Sequence, residues 1–250
     1  MSKPEVLLLG RLRPPAIAVL EERFTLRQPE PGAKPVDAVA ALGDHFEAIA
    51  CSSARIDAAL LDKLPKLRIV SSFGVGYDNV DAAEAGRRGV IVTNTPDVLT
   101  EEVADTTLGL LLNTVRELSA AERYLRAGKW LEGPYPLTKG TLRDRNVGIA
   151  GLGRIGKAIA RRLEAFDVPV SYHSRRPVEG VAYRHYPDLI ALARDVDTLI
   201  SVLPGGAATE KIVGREVFEA LGPRGVLINI GRDTVVDEDA LVEALKSGDL

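Results

Sequence analysis

The sequence has very little cysteine, and this scarcity excludes one way of stabilising the fold. Cys51 is the only cysteine among the 250 residues, so no disulfide can form within the chain. It ends the apolar segment Ala48–Cys51, which predicts that it is a small buried hydrophobic residue. The lack of an internal disulfide is typical of a reducing compartment. We therefore expect a cytoplasmic protein.

Two further absences limit the partners. No apolar run reaches the roughly 18 residues that span a bilayer, and the first five residues lack the pattern of a signal peptide. The chain carries 32 basic and 35 acidic residues, so its net charge is −3. Such a balance gives no reason to expect a nucleic acid or a membrane surface as partner. We expect neither of these partners and no metal ion.

Strand-like and helix-like patterns alternate along the chain. With 46% hydrophobic residues, 250 residues can fill the core of one large or two small domains. Short apolar segments such as Val6–Gly10 and Leu67–Ser72 alternate with helical segments such as Pro14–Arg23. This order predicts an α/β fold of two Rossmann-like or flavodoxin-like domains with parallel sheets. We predict one domain over 1–97 and a second over 98–250.

Three predicted elements rest on less regular patterns. The small and apolar residues after Thr100 predict one long helix to about Leu125, with Thr100 as its N-cap. Its apolar residues lie on more than one face, which predicts packing between domains or against a second subunit. The pattern also predicts an amphipathic helix over Ile56–Leu64 and a short strand over Val181–Tyr183.

The segment Val147–Ala160 has the spacing of a dinucleotide-binding turn. An apolar run leads into the pattern G-x-G-x-x-G, and a helix-forming segment follows. Gly151 is expected to form the tight turn, Gly153 to let a pyrophosphate approach, and Gly156 to let the helix pack closely on the sheet. The pyrophosphate would lie at the helix N-terminus, where free N–H groups favour an anion. A glycine-rich turn with only a structural use is the alternative.

The end of the next predicted strand indicates which dinucleotide is bound. An NAD site usually has Asp or Glu there, about 20 residues after the glycines. The segment His173–Pro177 contains no acid. Instead, Ser174, Arg175 and Arg176 supply a hydroxyl and two cations that suit a 2′-phosphate. We therefore predict NADP(H) as the preferred cofactor, with NAD(H) possible, and a solvated basic turn as the alternative.

Two other turns are candidates for substrate binding. Arg232 follows the predicted strand Gly225–Ile230, and ligands of open α/β sheets bind beyond the carboxyl ends of strands. Its planar guanidinium suits a 2-oxo acid, because hydride transfer to a carbonyl needs a cation at the oxygen. A strand-end salt bridge is the alternative for Arg232. The segment Ser72–Asp81 has two glycines, so it either holds a carboxylate on its N–H groups or is only a β–α turn.

Hydride transfer also needs a proton donor, and the three histidines are poor candidates. His45 lies near the third predicted strand, and His173 lies at the adenosine end of the predicted site. His185 lies in a short polar stretch, where we expect it to be solvated. No histidine follows the later strands, where a nicotinamide would lie.

Together these motifs resemble those of the D-isomer-specific 2-hydroxyacid dehydrogenase family over the whole chain. The resemblance rests on Phe73–Asp81, Asn94–Asp105, Gly151–Gly156 and Asn229–Arg232. The pattern is most similar to NADPH-preferring glyoxylate/hydroxypyruvate and hydroxyphenylpyruvate reductases, because NAD-dependent phosphoglycerate dehydrogenases typically have Asp at the Ser174 position. It implies NADPH-dependent reduction of glyoxylate or hydroxypyruvate to the D-2-hydroxy acid. The alternatives are an aromatic 2-oxo acid reductase, a phosphoglycerate-type dehydrogenase and a non-catalytic nucleotide-sensing protein.

The resemblance also implies that 1–97 is the substrate-binding domain and that 98–250 is the NAD(P)-binding Rossmann domain. It implies residue roles as well. Arg232 would be the catalytic and substrate-binding arginine, and the backbone of Val75 and Gly76 would bind the substrate carboxylate. The implied cofactor residues are Gly151, Leu152, Gly153, Arg154, Ile155 and Gly156 at the pyrophosphate, Ser174, Arg175 and Arg176 at the 2′-phosphate, Leu203, Pro204 and Thr209 on the adenine side, and Ile230 and Gly231 near the nicotinamide ribose.

Two further implications concern assembly and the proton donor. Members of the family are usually homodimers held through the coenzyme domain, so we expect a homodimer. Members also pair a glutamate with an acid/base histidine downstream of the arginine, which implies that both groups and the last part of the domain lie beyond Leu250. A chain without that pair is expected to bind NADPH without efficient turnover.

Overall fold

The computed structural model describes residues 3–138 and 140–250. The chain divides into two compact units, the first ending at Val98 and the second covering Leu99–Leu250. Each unit is an α/β domain built around a parallel sheet of five strands. The predicted fold class is therefore confirmed. None of the helices in the described ranges has the length and apolar character needed to cross a bilayer.

The first unit alternates strands and helices from its start. Its strands are β1 (Glu5–Leu9), β2 (Thr25–Arg27), β3 (Ala48–Cys51), β4 (Ile69–Ser72) and β5 (Ile91–Thr93). Its helices are α1 (Pro14–Arg23), α2 (Pro35–Leu42), α3 (Ala58–Leu61) and α4 (Ala82–Arg87). Prolines begin α1 and α2, where the fixed φ of proline suits the first helical turn.

The sheet of the first unit has the flavodoxin-like order β2-β1-β3-β4-β5. Both faces of β1 are covered: Leu7 and Leu9 lie in one apolar cluster and Leu8 in another. This explains why β1 is apolar at successive positions rather than at alternate ones. Cys51, at the end of β3, is fully buried as predicted, and burial raises the pKa of its thiol.

The second unit begins with two helices and continues with alternating strands and helices. Its helices are α5 (Thr100–Val115), α6 (Leu118–Arg126), α7 (Arg154–Glu164), α8 (Leu189–Asp195), α9 (Arg215–Leu221) and α10 (Glu238–Ser247). Its strands are β6 (Val147–Ala150), β7 (Val170–His173), β8 (Arg184–Tyr186), β9 (Thr198–Ser201) and β10 (Val226–Asn229). Short 3-10 turns cover Lys129–Leu131 and Asp233–Val235.

The sheet of the second unit has the order β8-β7-β6-β9-β10. Counted from its first strand, this is the order 3-2-1-4-5 of a Rossmann sheet. The order reverses between β6 and β9, which pair in parallel with Ala150 opposite Ser201. Ligands of such sheets bind beyond the carboxyl ends of the strands at this switch point. The topology therefore predicts a ligand site formed by the segments after β6, β7, β9 and β10.

The prediction of a single helix after Thr100 is wrong, because the chain forms two helices, α5 and α6, with a break between them. Glu117 lies in the left-handed region with φ 52°, which interrupts the helical hydrogen bonds. The Asn113 side chain accepts from the Ser119 N–H at 2.8 Å and supports the start of α6. The predicted N-cap is also wrong: Thr100 is already helical, and Leu99 precedes it.

Two shorter elements differ from the sequence prediction. The predicted strand Val181–Tyr183 is shifted to β8, three residues later. The predicted helix Ile56–Leu64 is reduced to α3, because Ile56 instead forms a parallel bridge with Val80. In both cases a short apolar run fits more than one element, and tertiary contacts decide between them.

Tyr183 links the segment before β8 to the end of α7. Its hydroxyl donates to Glu164 at 2.7 Å, and burial followed by this hydrogen bond raises the pKa of Tyr183 to about 12. An unfolded tyrosine titrates near pH 10, so the folded state holds this proton more tightly. The resulting stabilisation is complete below about pH 10 and is lost as the pH rises towards 12.

We expect the Tyr183→Phe variant to show a smaller loss of stability than the wild type between about pH 10 and 12. Urea unfolding at pH 8, 10, 11 and 12 measures this difference. Tyr77→Phe is the control, because Tyr77 is an exposed side chain of the first unit. Parallel stability curves for wild type and Tyr183→Phe across this window would contradict the assignment.

Candidate functional site

The turn after β6 leaves backbone N–H groups available for a ligand. Gly151 has φ 98°, a left-handed conformation that favours glycine, and its N–H donates to the His173 carbonyl at 2.9 Å. Helix α7 then begins at Arg154 with Gly153 as its N-cap. The first N–H groups of a helix have no partner within the helix, and glycine has no side chain to cap them. This helix start therefore suits an anion.

The other residues of the motif divide between packing and exposure. A Cβ on Gly156 would collide with the carbonyl oxygen of Gly151, so only glycine allows α7 to approach the turn this closely. Leu152 is buried and Ile155 is half-buried, whereas Gly153 and Arg154 are exposed. A Cβ on Gly153 would meet no atom within 4 Å. The side of the turn at Gly153 is thus open, as an approaching pyrophosphate requires.

The close packing at Gly156 and the open space at Gly153 predict different effects for the two alanine substitutions. Gly156→Ala is expected to lower the free energy of unfolding by about 1–3 kcal/mol, because α7 must move away from the turn. Gly153→Ala is expected to leave stability unchanged and to weaken NADPH binding roughly five- to hundredfold, because the added methyl group obstructs the pyrophosphate. Chemical denaturation and NADPH titration of both variants measure the two effects. Equal destabilisation of both variants would show that the open side of Gly153 has been assigned wrongly.

The segment after β7 carries the predicted 2′-phosphate residues. Arg175 and Arg176 are exposed, and Ser174 is half-buried at the carboxyl end of the strand next to β6. The Ser174 hydroxyl donates to the Arg176 carbonyl at 2.6 Å. A phosphate dianion accepts hydrogen bonds only, so this hydroxyl would have to rotate to bind one. The two guanidinium groups project from a turn that already has a defined backbone.

The segment after β9 contains the residues predicted on the adenine side. Leu203 is buried at the edge of an apolar cluster, and Pro204 is exposed. Thr209 closes the loop, because its hydroxyl lies 2.6 Å from the Pro204 carbonyl and 3.1 Å from that of Gly206. The loop after β9 is therefore closed by hydrogen bonds of Thr209, with Leu203 buried and Pro204 exposed on the predicted adenine side.

The segment after β10 holds Arg232 in a defined turn. The Asn229 side chain accepts from the Gly231 N–H at 3.1 Å and donates to the Arg232 carbonyl at 2.9 Å. Ile230 is half-buried and packs against the main apolar cluster of the unit. Arg232 is half-buried, and its guanidinium donates to the Gly231 carbonyl at 3.1 Å. Sequence analysis did not single out Asn229 as the residue that holds this turn, although Asn side chains commonly hydrogen-bond to the backbone two residues further on.

The predicted carboxylate turn of the first unit follows β4. Val75 and Gly76 are half-buried. The turn is fixed from the segment after β5: the Asn94 amide donates to the Val75 carbonyl at 2.8 Å, and the Thr95 N–H donates to the Gly74 carbonyl at 2.9 Å. These two contacts hold the backbone that would present its N–H groups to a carboxylate.

Each of the three histidines has a structural partner. His45 pairs with Glu5 at 2.7 Å, and this hydrogen bond, together with one from Arg27, lowers the pKa of the Glu5 carboxyl. The Nδ1 atom of His173 lies 3.0 Å from the Tyr186 carbonyl. The Nε2 atom of His185 lies 2.8 Å from the Ser174 carbonyl, so the predicted solvation of His185 is wrong. These contacts assign the histidines to positions in the fold rather than to proton transfer.

The residues present fit a dinucleotide with a 2′-phosphate. The second unit brings together four strand ends at one edge of the sheet: the glycine turn, the basic segment, the Leu203 loop and the Arg232 turn. An uncapped helix N-terminus with an open approach at Gly153 suits the pyrophosphate, and two cations suit the 2′-phosphate.

Comparison with known proteins agrees with this arrangement. The family model described as the D-isomer specific 2-hydroxyacid dehydrogenase, NAD binding domain, matches residues 108–250. A solved structure of the NADPH-dependent glyoxylate/hydroxypyruvate reductase of Sinorhizobium meliloti, in complex with NADP and malonate, superposes with a TM-score of 0.92. It is 51% identical, and the match covers 99% of this chain and 77% of that one.

Curated relatives show the same likeness. Glyoxylate/hydroxypyruvate reductase A of Arabidopsis thaliana and hydroxyphenylpyruvate reductase of Plectranthus scutellarioides are each 50% identical over 199 residues. These matches cover 80% of this chain and 63% of each relative. The resemblance inferred from the motifs is confirmed, and the chain belongs to the D-isomer specific 2-hydroxyacid dehydrogenase family.

Proposed function

We propose that the protein is an NADPH-dependent reductase that converts hydroxypyruvate to the D-2-hydroxy acid and glyoxylate to the achiral glycolate. The observation that carries the proposal is the pairing of the glycine turn after β6 with Ser174, Arg175 and Arg176 after the neighbouring strand β7. A dinucleotide on the first turn would place its 2′-phosphate at the second. The activities for which the Arabidopsis and Sinorhizobium relatives are named support the substrate class.

Each predicted site residue then has a place in cofactor binding. The turn residues Leu152, Gly153, Arg154 and Ile155 would hold the pyrophosphate, with Gly151 and Gly156 shaping the turn. The basic segment would hold the 2′-phosphate. Leu203, Pro204 and Thr209 would lie on the adenine side, and Ile230 and Gly231 near the nicotinamide ribose. When bound, the cofactor supplies the hydride that adds to C2 of the substrate.

Arg232 has the chemistry to bind and activate a 2-oxo acid. Its fork of N–H donors can bind the carboxylate and the carbonyl oxygen together. As C2 is reduced, negative charge develops on that oxygen, and the fixed cation stabilises it. The backbone N–H groups of Val75 and Gly76 would bind the carboxylate. The proton would come from the histidine–glutamate pair that the family resemblance implies downstream of Arg232.

Initial rates with three substrates and two cofactors, measured on protein that carries the histidine–glutamate pair downstream of Arg232, test this function. Glyoxylate, hydroxypyruvate and hydroxyphenylpyruvate are each supplied with NADPH and with NADH. We expect the highest kcat/KM for glyoxylate or hydroxypyruvate with NADPH. The highest kcat/KM with hydroxyphenylpyruvate would favour the second candidate function, that of an aromatic 2-oxo acid reductase. The 50% identity to the Plectranthus hydroxyphenylpyruvate reductase supports this alternative. A preference for NADH would contradict the proposed cofactor.

We also propose that the protein is a cytoplasmic homodimer. The buried Cys51 suits a reducing compartment. Helices α5 and α6 expose Leu110, Leu118 and Leu125 by 42%, 53% and 58%. Exposed leucine side chains on two successive helices favour contact with a second copy of the chain. Light scattering after size-exclusion chromatography measures the molar mass, which distinguishes a homodimer from a monomer.

A further inference from the structure

His185 contacts the backbone of the segment that carries the predicted 2′-phosphate residues. Its Nε2 atom lies 2.8 Å from the Ser174 carbonyl oxygen. A carbonyl only accepts hydrogen bonds, so His185 carries its proton on Nε2 and donates it to Ser174. The contact joins β8 to the end of β7, where the basic segment begins.

The same segment is held at two further points. The Ser174 hydroxyl donates to the Arg176 carbonyl at 2.6 Å, and the Val178 N–H donates to the Tyr172 hydroxyl at 2.9 Å. The His185 ring contacts the ring of the buried Tyr172, with their centres 5.1 Å apart and their planes tilted by 46°. The histidine is therefore part of the support that fixes the start and the end of the segment.

The strand that carries His185 is itself well anchored. The buried Tyr186 donates its hydroxyl to Asp195 of α8 at 2.5 Å, and its carbonyl lies 3.0 Å from His173 Nδ1. The Arg184 guanidinium lies 4.5 Å above the Tyr186 ring and pairs with Asp195 at 3.4 Å. Strand β8 is thus a fixed base from which His185 acts on Ser174.

We propose that His185 is a positioning residue that strengthens the preference for NADPH over NADH. By fixing the Ser174 carbonyl, it would hold the backbone of Ser174, Arg175 and Arg176 in place for binding of the 2′-phosphate. A preorganised segment loses less conformational freedom on binding. NADH has no 2′-phosphate, so its affinity depends less on this segment. This inference rests on the proposed function and adds to it a residue outside the dinucleotide motif.

Binding measurements on His185→Ala test the proposal without requiring turnover. Calorimetric titration gives the Kd of NADPH, NADH, 2′,5′-ADP and 5′-AMP. Loss of one hydrogen bond is expected to raise the Kd of NADPH and of 2′,5′-ADP about three- to tenfold. The Kd of NADH and of 5′-AMP should change by less than about twofold.

Three further variants separate positioning from general damage. His185→Gln places an N–H donor near the position of Nε2 and is expected to restore most of the NADPH affinity, whereas His185→Asn is too short and should resemble His185→Ala. His45→Ala removes a histidine from the first unit and should leave all four affinities unchanged. If His185→Ala does not fold, the comparison of the Gln and Asn variants decides.

Equal weakening of NADPH and NADH, or a Gln variant as weak as the Ala variant, would overturn the proposal. A wild-type protein without a preference for NADPH would instead contradict the proposed function. The two failures are therefore distinguishable.

Discussion

Replacing Arg175 and Arg176 together by alanine is expected to raise the Kd of NADPH about 100-fold, since each charge-assisted hydrogen bond contributes roughly 1.5 kcal/mol at an exposed site. Both side chains are exposed, so the contribution of each hydrogen bond is taken at the lower end of the range of about 1.5–3 kcal/mol for charged groups. The Kd of NADH should change little, because the adenosine ribose of NADH has no 2′-phosphate for these arginines. Fluorescence titration with both nucleotides measures the two constants.

The control for this variant removes the same charge elsewhere in the second unit. Arg126 pairs with Glu122 and Arg215 pairs with Glu243, and all four side chains are exposed. The double variant Arg126→Ala with Arg215→Ala should bind NADPH like the wild type. If it loses as much affinity as the Arg175 and Arg176 variant, the effect is one of net charge. Equal weakening of NADPH and NADH would contradict a 2′-phosphate site at this turn.

Replacing Arg232 by alanine is expected to reduce kcat/KM for glyoxylate about 1,000-fold. Removal of one preorganised donor to a developing oxyanion typically costs about 10²–10³ in rate, and Arg232 would also bind the substrate carboxylate. Arg232→Lys keeps the charge but loses the planar fork, so it should retain part of the activity. Steady-state rates of NADPH oxidation over a range of glyoxylate concentrations measure both variants.

The NADPH affinity distinguishes a catalytic role of Arg232 from a structural one. Asn229 holds the turn around Arg232 through the backbone of Gly231 and Arg232, and this support remains when the guanidinium, which also donates to the Gly231 carbonyl, is removed. The Kd of NADPH should therefore stay close to the wild-type value in both variants. Activity within threefold of the wild type in Arg232→Ala would sink the assignment.

The dinucleotide turn was predictable from sequence because its determinants are local. Gly151 needs a left-handed backbone, and Gly156 needs close contact between a helix and the turn directly before it. Both requirements operate within six residues, so the spacing of the glycines records them. The alternation of elements likewise predicts parallel sheets, because parallel strands need a crossover between them.

Other features depend on side-chain contacts that leave no recognisable pattern in the sequence. Glu117 occurs in a run that reads as helix, and its left-handed conformation becomes evident only with the Asn113–Ser119 contact. Strand β8 is three residues long at the sheet edge, and its position is set by Tyr183 on Glu164 and Tyr186 on Asp195. The role of His185 follows from that placement, which is why its polar surroundings alone predicted solvation.

The measurement that tests the central claim most directly is the ratio of kcat/KM for NADPH to that for NADH in the reduction of hydroxypyruvate, with the configuration of the product determined. The account predicts a ratio on the order of 100, which corresponds to roughly 3 kcal/mol from the 2′-phosphate contacts, and D-glycerate as the product. A ratio of one or below, or formation of L-glycerate, would contradict it.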